Sequence, residues 1–224
     1  SYDISHPNFE TDLIKKHFNT VVAENSCKMM SIYKGEDDFY WDEADLFMNF
    51  ASENKLRARW HNFVWHAQCA PWAFYKDPSK LNMQDFFENK INPQDFASKE
   101  VFEKRVKNWI QAVCDRYKER IVSYDVVNEC ISDKRFALRN REDHSYWQDV
   151  MGSDYVEKAF CWAHEADPSS ELVINDYNLE TIPKKSSKEK KTCFGRRASG
   201  SYKYDWKQDR NVGGYNRNVC FTWT

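Results

Sequence analysis

The stretch that decides the fold is Ile121-Val122-Ser123-Tyr124-Asp125-Val126-Val127-Asn128-Glu129. Its β-branched residues form a near-continuous apolar run, which is typical of a parallel strand that is covered on both faces. The run ends with an amide, Asn128, next to a carboxylate, Glu129. In α/β barrels the carboxyl ends of the strands carry the chemistry, so these two side chains predict the position of a functional site.

On both sides of this strand, from Pro7 to Ser170 and a little beyond, helical and strand patterns alternate. Strands are predicted at residues 20–23, 57–66, 121–129 and 171–176. The clearest helical pattern runs over residues 101–117, where six large apolar side chains share one face. This βα rhythm predicts the α/β class, with a parallel sheet and covering helices.

Charge divides the 224-residue chain into two parts. Residues 1–183 carry 22 Lys+Arg against 32 Asp+Glu, a net charge of -10, whereas residues 184–224 carry 11 against 3, a net charge of +8. We expect residues 1–183 to form the folded unit. Residues 184–224 have no sustained apolar period, and we interpret them as a basic, poorly patterned tail that is unfolded or non-native, as a shifted reading frame would produce. A nucleic-acid-binding arm is an alternative with no fold motif behind it.

The remaining composition argues against several kinds of site. Seven cysteines without close spacing indicate neither a disulfide framework nor a metal site, and we expect no cofactor and no metal. Cys114 and Cys161 lie on apolar helix faces and are predicted to be buried. No apolar run of about 18 residues is present, and Ser1 begins no signal peptide, so we expect no membrane contact and a soluble protein whose export signal is removed or not included.

Polar side chains recur where the predicted strands end. They are Glu24, Asn25 and Lys28 after the first strand, His61, Trp65, His66 and Gln68 on the second, Asn128 and Glu129 on the third, and Asn175 to Asn178 on the fourth. Each group alone is ambiguous, because such residues also cap helices, form turns or serve as structural histidines. Their repetition at successive strand ends favours one cleft built from several strands.

Four of these segments resemble glycoside hydrolase family 10, the endo-1,4-β-xylanases, over roughly residues 7 to 183. Residues 18–28 are similar to the family's F-N-x-V-x-A-E-N-x-x-K segment, and residues 59–72 to R-G-H-x-L-V-W-H-x-Q-x-P-x-W. Residues 124–129 are similar to W-D-V-V-N-E, and residues 174–178 to I-N-D-Y-N. The resemblance implies a (β/α)8 TIM barrel, of which about strands 2–5 are recognisable.

The resemblance also implies roles for individual residues in the retaining hydrolysis of internal β-1,4 bonds of xylan. Glu129 would be the general acid and then the base, and Asn128 would bind the sugar 2-hydroxyl. Tyr177 would be a stacking platform on the leaving-group side. The xylose units on the other side would be bound by Glu24, Asn25, Lys28, His61, Trp65 and Gln68.

Two departures from the family pattern lead to further expectations. Trp60 replaces the usual Gly before His61, and a ring there could displace His61 unless it faces outward. The family's nucleophile lies in an I-T-E-L-D segment, to which residues 219–222 bear a short likeness with Trp223 in place of the Glu. The nucleophile is therefore unassigned. Asp176 and Glu24 are expected to face the same cleft, although the resemblance gives neither the nucleophile's role.

We therefore expect a xylanase-type glycoside hydrolase whose partners are xylan and xylo-oligosaccharides, with much impaired turnover because Glu129 lacks a second carboxylate. The alternative from another class is a non-catalytic xylan-binding protein. Secretion is expected because polymeric xylan cannot enter a cell.

Overall fold

The computed structural model describes residues 9–179, 181–187 and 219–223. Seven strands lie in these residues, and their bounds are β1 (Thr20–Val22), β2 (Tyr33–Gly35), β3 (Asp38–Phe39), β4 (Arg57–Trp65), β5 (Ile121–Asn128), β6 (Glu171–Asp176) and β7 (Val219–Trp223). One sheet has the order β1-β4-β5-β6-β7, and β2 and β3 form a separate antiparallel hairpin. Strands β1, β4, β5 and β6 run parallel to one another, whereas β7 runs antiparallel to β6.

Helices join the parallel strands. Their bounds are α1 (Phe9–His17), α2 (Met29–Ile32), α3 (Asp42–Glu53), α4 (Met83–Phe87), α5 (Lys99–Tyr117), α6 (Trp147–Met151) and α7 (Tyr155–Ala166), and residues 183–187 are also helical. Helix α3 leads into β4, α5 lies between β4 and β5, and α7 lies between β5 and β6. Each parallel pair therefore has a helical crossover, which parallel strands require.

The longest helix, α5, follows from its sequence pattern. Ser98 caps its first turn, since the Ser98 hydroxyl accepts a hydrogen bond of 3.3 Å from the backbone N–H of Val101. The six apolar side chains that predict its inner face are all buried: Phe102, Val106, Trp109, Ile110, Val113 and Tyr117. Cys114 is buried on the same helix as predicted, whereas Cys161 on α7 is only partly buried. The helix thus covers the sheet through one continuous apolar stripe.

The predicted α/β class and the four predicted parallel strands are confirmed. Three of the four strands end one residue earlier than predicted; for example, β4 ends at Trp65 rather than at His66. The β2–β3 hairpin was not predicted, because its strands of three and two residues are too short to show an alternating pattern.

Trp60 does not displace His61. The Trp60 side chain is fully buried and packs against the rings of Trp109 and Tyr117 on α5, with centroid distances of 6.2 and 5.4 Å. Alternate side chains of a strand point to opposite faces, so the ring enters the layer between sheet and helix. His61 meanwhile contacts Asp125. The outward orientation, which the sequence left open, is the one adopted.

Strand β7 cannot be the seventh strand of a parallel barrel. All eight strands of a (β/α)8 barrel are parallel, whereas β7 pairs antiparallel with β6, with Leu172 opposite Trp223 and Asp176 opposite Val219. The short likeness of residues 219–222 to the nucleophile segment therefore has no counterpart in the fold. Most of the tail, residues 188–218, lies outside the described residues.

Candidate active site

The polar strand ends meet at one edge of the sheet. Parallel register places Trp65 beside Asn128, and Asn128 beside Asn175, so that the ends of β4, β5 and β6 are level. Strand β1 is parallel to β4, and the segment after it carries Glu24, Asn25 and Lys28 to the same edge. The structure thus brings together residues that are more than a hundred positions apart in the sequence.

Glu129 lies at the centre of this edge, immediately after β5. Its backbone has a φ of 51°, in the left-handed region, and its N–H donates a 2.8 Å hydrogen bond to the carbonyl of Asn175. The Glu129 carboxylate accepts a hydrogen bond of 3.0 Å from the indole N–H of Trp65. Trp65 is itself held by the indole N–H of Trp147, which donates to the Trp65 carbonyl at 3.0 Å. The half-buried carboxylate therefore has a defined orientation.

Asn128 is buried beside Glu129, and its amide is oriented by a neighbour. The side-chain N–H of Asn175 donates to the Asn128 oxygen at 2.6 Å. Since the oxygen faces Asn175, the Asn128 nitrogen faces the other way and can donate a hydrogen bond to a ligand. Asn175 was not among the predicted ligand-binding residues, although the pairing register of β5 and β6 would place it there.

Lys28 is a buried cation on the other side of Glu129. It is 2% exposed, and its Nζ lies 4.4 Å from the centroid of the Trp65 ring. Burial lowers the pKa of Lys28 to about 8, while the carboxylates of Asp125, Glu129 and Glu24 act in the opposite direction. Lys28 is thus mostly protonated at neutral pH and is held against an aromatic ring, as in a cation–π pair.

Asn25 and Gln68 form the outer rim of this side. The Gln68 amide donates to the side-chain oxygen of Asn25 at 3.1 Å, and Glu24 and Asn25 are both exposed. These groups can form hydrogen bonds with a ligand that enters from solvent. The structure therefore places Lys28 against Trp65 and Asn25 against Gln68, with Glu24 exposed next to Asn25 in the chain.

A buried ion-pair cluster supports His61 below this rim. Asp125 accepts a hydrogen bond from Arg59, and its other oxygen lies 2.6 Å from His61 Nδ1. Burial alone would raise the pKa of Asp125, but the contacts with His61 and Arg59 outweigh burial and keep that pKa below its usual value. The His61 ring is thereby fixed, with its centroid 6.5 Å from that of Trp65.

Tyr177 lies on the side of Glu129 away from Lys28, in a network of charged groups. Its hydroxyl donates to Asp133 and accepts a 2.9 Å hydrogen bond from Arg139. The Nζ of Lys185 lies 3.9 Å from the ring centroid and donates to Asp133 and Asp176, each at 2.7 Å. One face of the Tyr177 ring is thus covered by a cation.

The expectation that Asp176 faces the cleft is wrong. Its side chain is 0% exposed, and its oxygens accept hydrogen bonds from Lys185 and from the backbone N–H groups of Ile131 and Tyr177. Burial raises the pKa of Asp176 to about 6, against the influence of Lys185. A buried carboxylate with these partners is a structural group and not a nucleophile. Glu24, the other candidate, is exposed on the rim.

Three supporting residues, Asp133, Arg139 and Lys185, were not identified from the sequence. Asp133 and Arg139 lie in the irregular segment between β5 and α6, and Lys185 lies in the helical residues 183–187. Such segments have no regular period, so their spacing does not reveal which side chains turn inward. Lys185 also falls in the segment that the sequence predicts to be a tail.

Among the described residues no group of three His, Cys, Asp or Glu side chains could hold a metal ion. Within those residues, no helix has both the length and the apolar character needed to cross a bilayer. What the edge offers is one oriented carboxylate between a buried cation and an aromatic ring, which suits proton transfer to a polar, uncharged ligand.

Comparison with known proteins identifies the family. The profile of Glycosyl hydrolase family 10 matches residues 2–194. Endo-1,4-beta-xylanase C of Paenibacillus barcinonensis is 40% identical over 178 residues, which are 76% of this chain and 15% of that protein. Exoglucanase XynX of Acetivibrio thermocellus is 40% identical over 174 residues, which are 75% of this chain and 14% of that protein.

Solved structures of the same family are similar to this chain. The structure of a family 10 enzyme from Paenibacillus barcinonensis has a TM-score of 0.74 and 37% identity, covering 84% of this chain and 52% of that chain. An intracellular xylanase of Thermoanaerobacterium saccharolyticum, a mutant in complex with xylotriose, has a TM-score of 0.71 and 36% identity, covering 84% and 55%. The chain spans about half the length of these solved relatives and includes part of a (β/α)8 barrel. It belongs to glycosyl hydrolase family 10.

Proposed function

We propose that this chain carries the sugar-binding and proton-donating part of an endo-1,4-β-xylanase that acts on internal bonds of xylan with retention. The observation that carries the proposal is the 3.0 Å hydrogen bond from the Trp65 indole to the Glu129 carboxylate. This bond lies at the edge of the sheet where the parallel strands β4, β5 and β6 end. A carboxyl group held in this way can protonate a leaving glycosidic oxygen and then activate water as a base.

The side of the cleft near Lys28 would bind the xylose units that precede the cleaved bond. Sugar hydroxyls need both donors and acceptors, and Lys28, Asn25, Gln68 and Glu24 supply both. Trp65 would offer apolar contact to the sugar, with His61 below it. Asn128 would donate to the 2-hydroxyl of the sugar at the cleavage point, a contact that strengthens in the transition state.

The leaving-group side would use Tyr177 as a stacking platform. Because Lys185 covers one face of the ring, a sugar would stack on the opposite face. We assign no nucleophile. A retaining mechanism needs a second carboxyl group roughly 5–5.5 Å from the first, and Asp176 is committed to Lys185.

Two measurements on the 224-residue protein test this function. Titration calorimetry with xylotetraose should detect binding that Lys28→Ala and Tyr177→Ala weaken. Reducing-sugar release from xylan, if present, should fall by at least ~10²-fold in Glu129→Gln, since general acid–base groups contribute typically 10²–10⁴-fold. Binding without turnover, unchanged by Glu129→Gln, would favour the non-catalytic xylan-binding alternative, and absence of binding to any xylo-oligosaccharide would contradict both.

The names of the relatives suggest one alternative substrate class, β-1,4-glucan. One of them is called an exoglucanase, so cello-oligosaccharides belong in the same titrations. We expect xylotetraose to bind more tightly than cellotetraose. Tighter binding of cellotetraose would move the proposal from xylan to β-1,4-glucan.

We further propose that the protein acts outside the cell, because its substrate is polymeric. A relative described as intracellular makes this a real alternative. Immunodetection of the native protein in culture medium and in cell extract tests it, and confinement to the extract would contradict it. We also propose that residues 1–183 form the sugar-binding unit and that the basic segment 184–224 is a separate unit, except for Lys185, which packs into the first unit against Asp133 and Asp176. A truncated protein that ends at residue 187 should then bind xylo-oligosaccharides as tightly as the full chain, and loss of binding would contradict this division.

A further inference from the structure

Arg139 connects the two sides of the cleft, although it takes no part in the functions proposed above. Its side chain is 11% exposed and enters from the segment after β5, where its own N–H donates to the carbonyl of Cys130 at 2.8 Å. The Nε of its guanidinium donates to the backbone carbonyl of Glu129 at 2.8 Å, and one terminal nitrogen donates to the Tyr177 hydroxyl at 2.9 Å. One planar guanidinium therefore contacts both Glu129, the proposed proton donor, and Tyr177, the proposed stacking platform.

The contact with Glu129 matters because of the backbone conformation there. A φ of 51° is unfavourable for a residue with a side chain and persists only when the surroundings impose it. The Glu129 N–H is held by the carbonyl of Asn175, and its carbonyl is held by Arg139. Both backbone polar groups of Glu129 are thereby fixed, the N–H by the neighbouring strand and the carbonyl by a side chain from the segment after β5.

The contact with Tyr177 fixes the platform at its far end. The hydroxyl lies between Arg139, which donates to it, and Asp133, which accepts from it. An arginine suits this double task, because its donors lie in a rigid plane at fixed angles. A lysine would present a single ammonium at the end of a flexible chain and could not hold both partners in the same way.

We infer that Arg139 is a positioning residue that sets the Glu129 carboxylate and the Tyr177 ring relative to each other. The inference rests on the proposed function, in which a sugar spans both groups. Arg139 acts through its two partners and does not contact the sugar itself.

The first test needs no ligand. In Arg139→Met, hydrogen exchange of the Glu129 amide, followed by NMR, should become ~10-fold faster, which corresponds to the loss of about one hydrogen bond. The amides of Val126 and Val127 in the same strand should exchange as before. The matched control is Arg135→Met, which removes another guanidinium from the same segment. The Arg135 guanidinium donates to Asp143 and to the carbonyl of Leu138 and not to Glu129 or Tyr177. Unchanged Glu129 exchange in Arg139→Met, or an equal change in the control, would overturn the inference.

The second test uses sugar binding measured by calorimetry. Arg139→Met should weaken xylotetraose binding by ~10-fold or more, the loss expected when a charge-assisted contact is removed. It should change xylobiose binding on the Lys28 side by less than ~2-fold, within the ordinary error of additivity. In a protein that already carries Tyr177→Ala, the additional Arg139→Met substitution should weaken xylotetraose binding only slightly further. Arg139→Lys should recover only part of the affinity.

The outcomes separate the inference from the proposed function. If wild-type protein binds xylotetraose and depends on Tyr177, but Arg139→Met binds equally well, the inference fails and the function stands. Full recovery by Arg139→Lys, or additive losses with Tyr177→Ala, would likewise contradict positioning through the planar group. If the wild-type protein binds no sugar at all, the proposed function fails, while accelerated Glu129 exchange would still support the Arg139 contact.

Discussion

Two lysines lie against aromatic rings on opposite sides of Glu129, and they differ in their partners. Lys28 Nζ is 4.4 Å from the Trp65 ring centroid, and no described carboxylate lies within ion-pair distance of it. Lys185 Nζ is 3.9 Å from the Tyr177 ring centroid and pairs with both Asp133 and Asp176 at 2.7 Å. Both ammonium groups therefore contact a ring, but the N–H donors of Lys28 are not used in an ion pair with any described residue, whereas those of Lys185 are.

The pKa values of the two lysines move in opposite directions for this reason. Burial lowers the pKa of Lys28 to about 8, since distant carboxylates only partly offset it. Burial also disfavours charged Lys185, but hydrogen bonds from its ammonium to Asp133 and Asp176 outweigh burial and raise its pKa. An ammonium with unused donors is suited to bind a ligand, whereas an ammonium with satisfied donors holds structure. The comparison thus supports the proposed role of Lys28 in recognition and favours a structural role for Lys185.

The largest effect is expected for Lys185→Met. Removing the ammonium leaves Asp176 without its ion-pair partner, and because burial already raises the pKa of this carboxyl to about 6, Asp176 is expected to take up a proton. The lost pair should still cost about 3 kcal/mol of unfolding free energy, the lower end of the range for a broken buried pair. Urea denaturation followed by Trp fluorescence measures the loss. Lys28→Met, the matched variant, should lose less than about 1 kcal/mol because it removes a poorly paired buried charge. Equal losses of unfolding free energy in the two variants would contradict the structural difference between Lys185 and Lys28.

The next effect concerns binding. Lys28→Met should weaken xylotriose binding by roughly 10- to 100-fold, as expected for a lost hydrogen bond to a charged group. The measurement is calorimetry at pH 7, where Lys28 is protonated. Wild-type affinity in Lys28→Met would show that the exposed rim and Trp65 bind the sugar without the cation.

The third prediction follows from the lowered pKa of Lys28. Its ammonium loses its proton near pH 8, so xylotriose affinity should fall as the pH rises through this value. Stability should change in the other direction: the unfolded chain, with a pKa of 10.5 at this residue, binds more protons than the folded one between about pH 8 and 10.5. The unfolding free energy of the wild type relative to Lys28→Met should therefore rise across that interval. A parallel fall of affinity and relative stability would contradict the lowered pKa.

Sequence reasoning located the recognition side better than the supporting side. Glu24, Lys28, Trp65 and Glu129 lie at or just after the ends of predicted strands, and parallel strand ends must meet at one edge, so their grouping follows from the pattern. Arg139 and Lys185 lie in segments without a period, and their inward orientation depends on tertiary packing. The burial of Asp176 was missed for the same reason, because its partner Lys185 has no sequence signal.

The smallest effect is expected at the exposed rim, where Gln68→Ala removes the 3.1 Å hydrogen bond to Asn25. Solvent replaces exposed partners easily, so the unfolding free energy should change by no more than about 0.5 kcal/mol, as is usual for surface substitutions. Xylotriose binding should weaken by only ~2- to 5-fold, corresponding to a neutral, solvated hydrogen bond. Lys28→Met provides the reference in the same titration. A loss in Gln68→Ala that matches the loss in Lys28→Met would move the main binding contribution from the buried cation to the rim. The contrast between the two lysines would then concern folding alone.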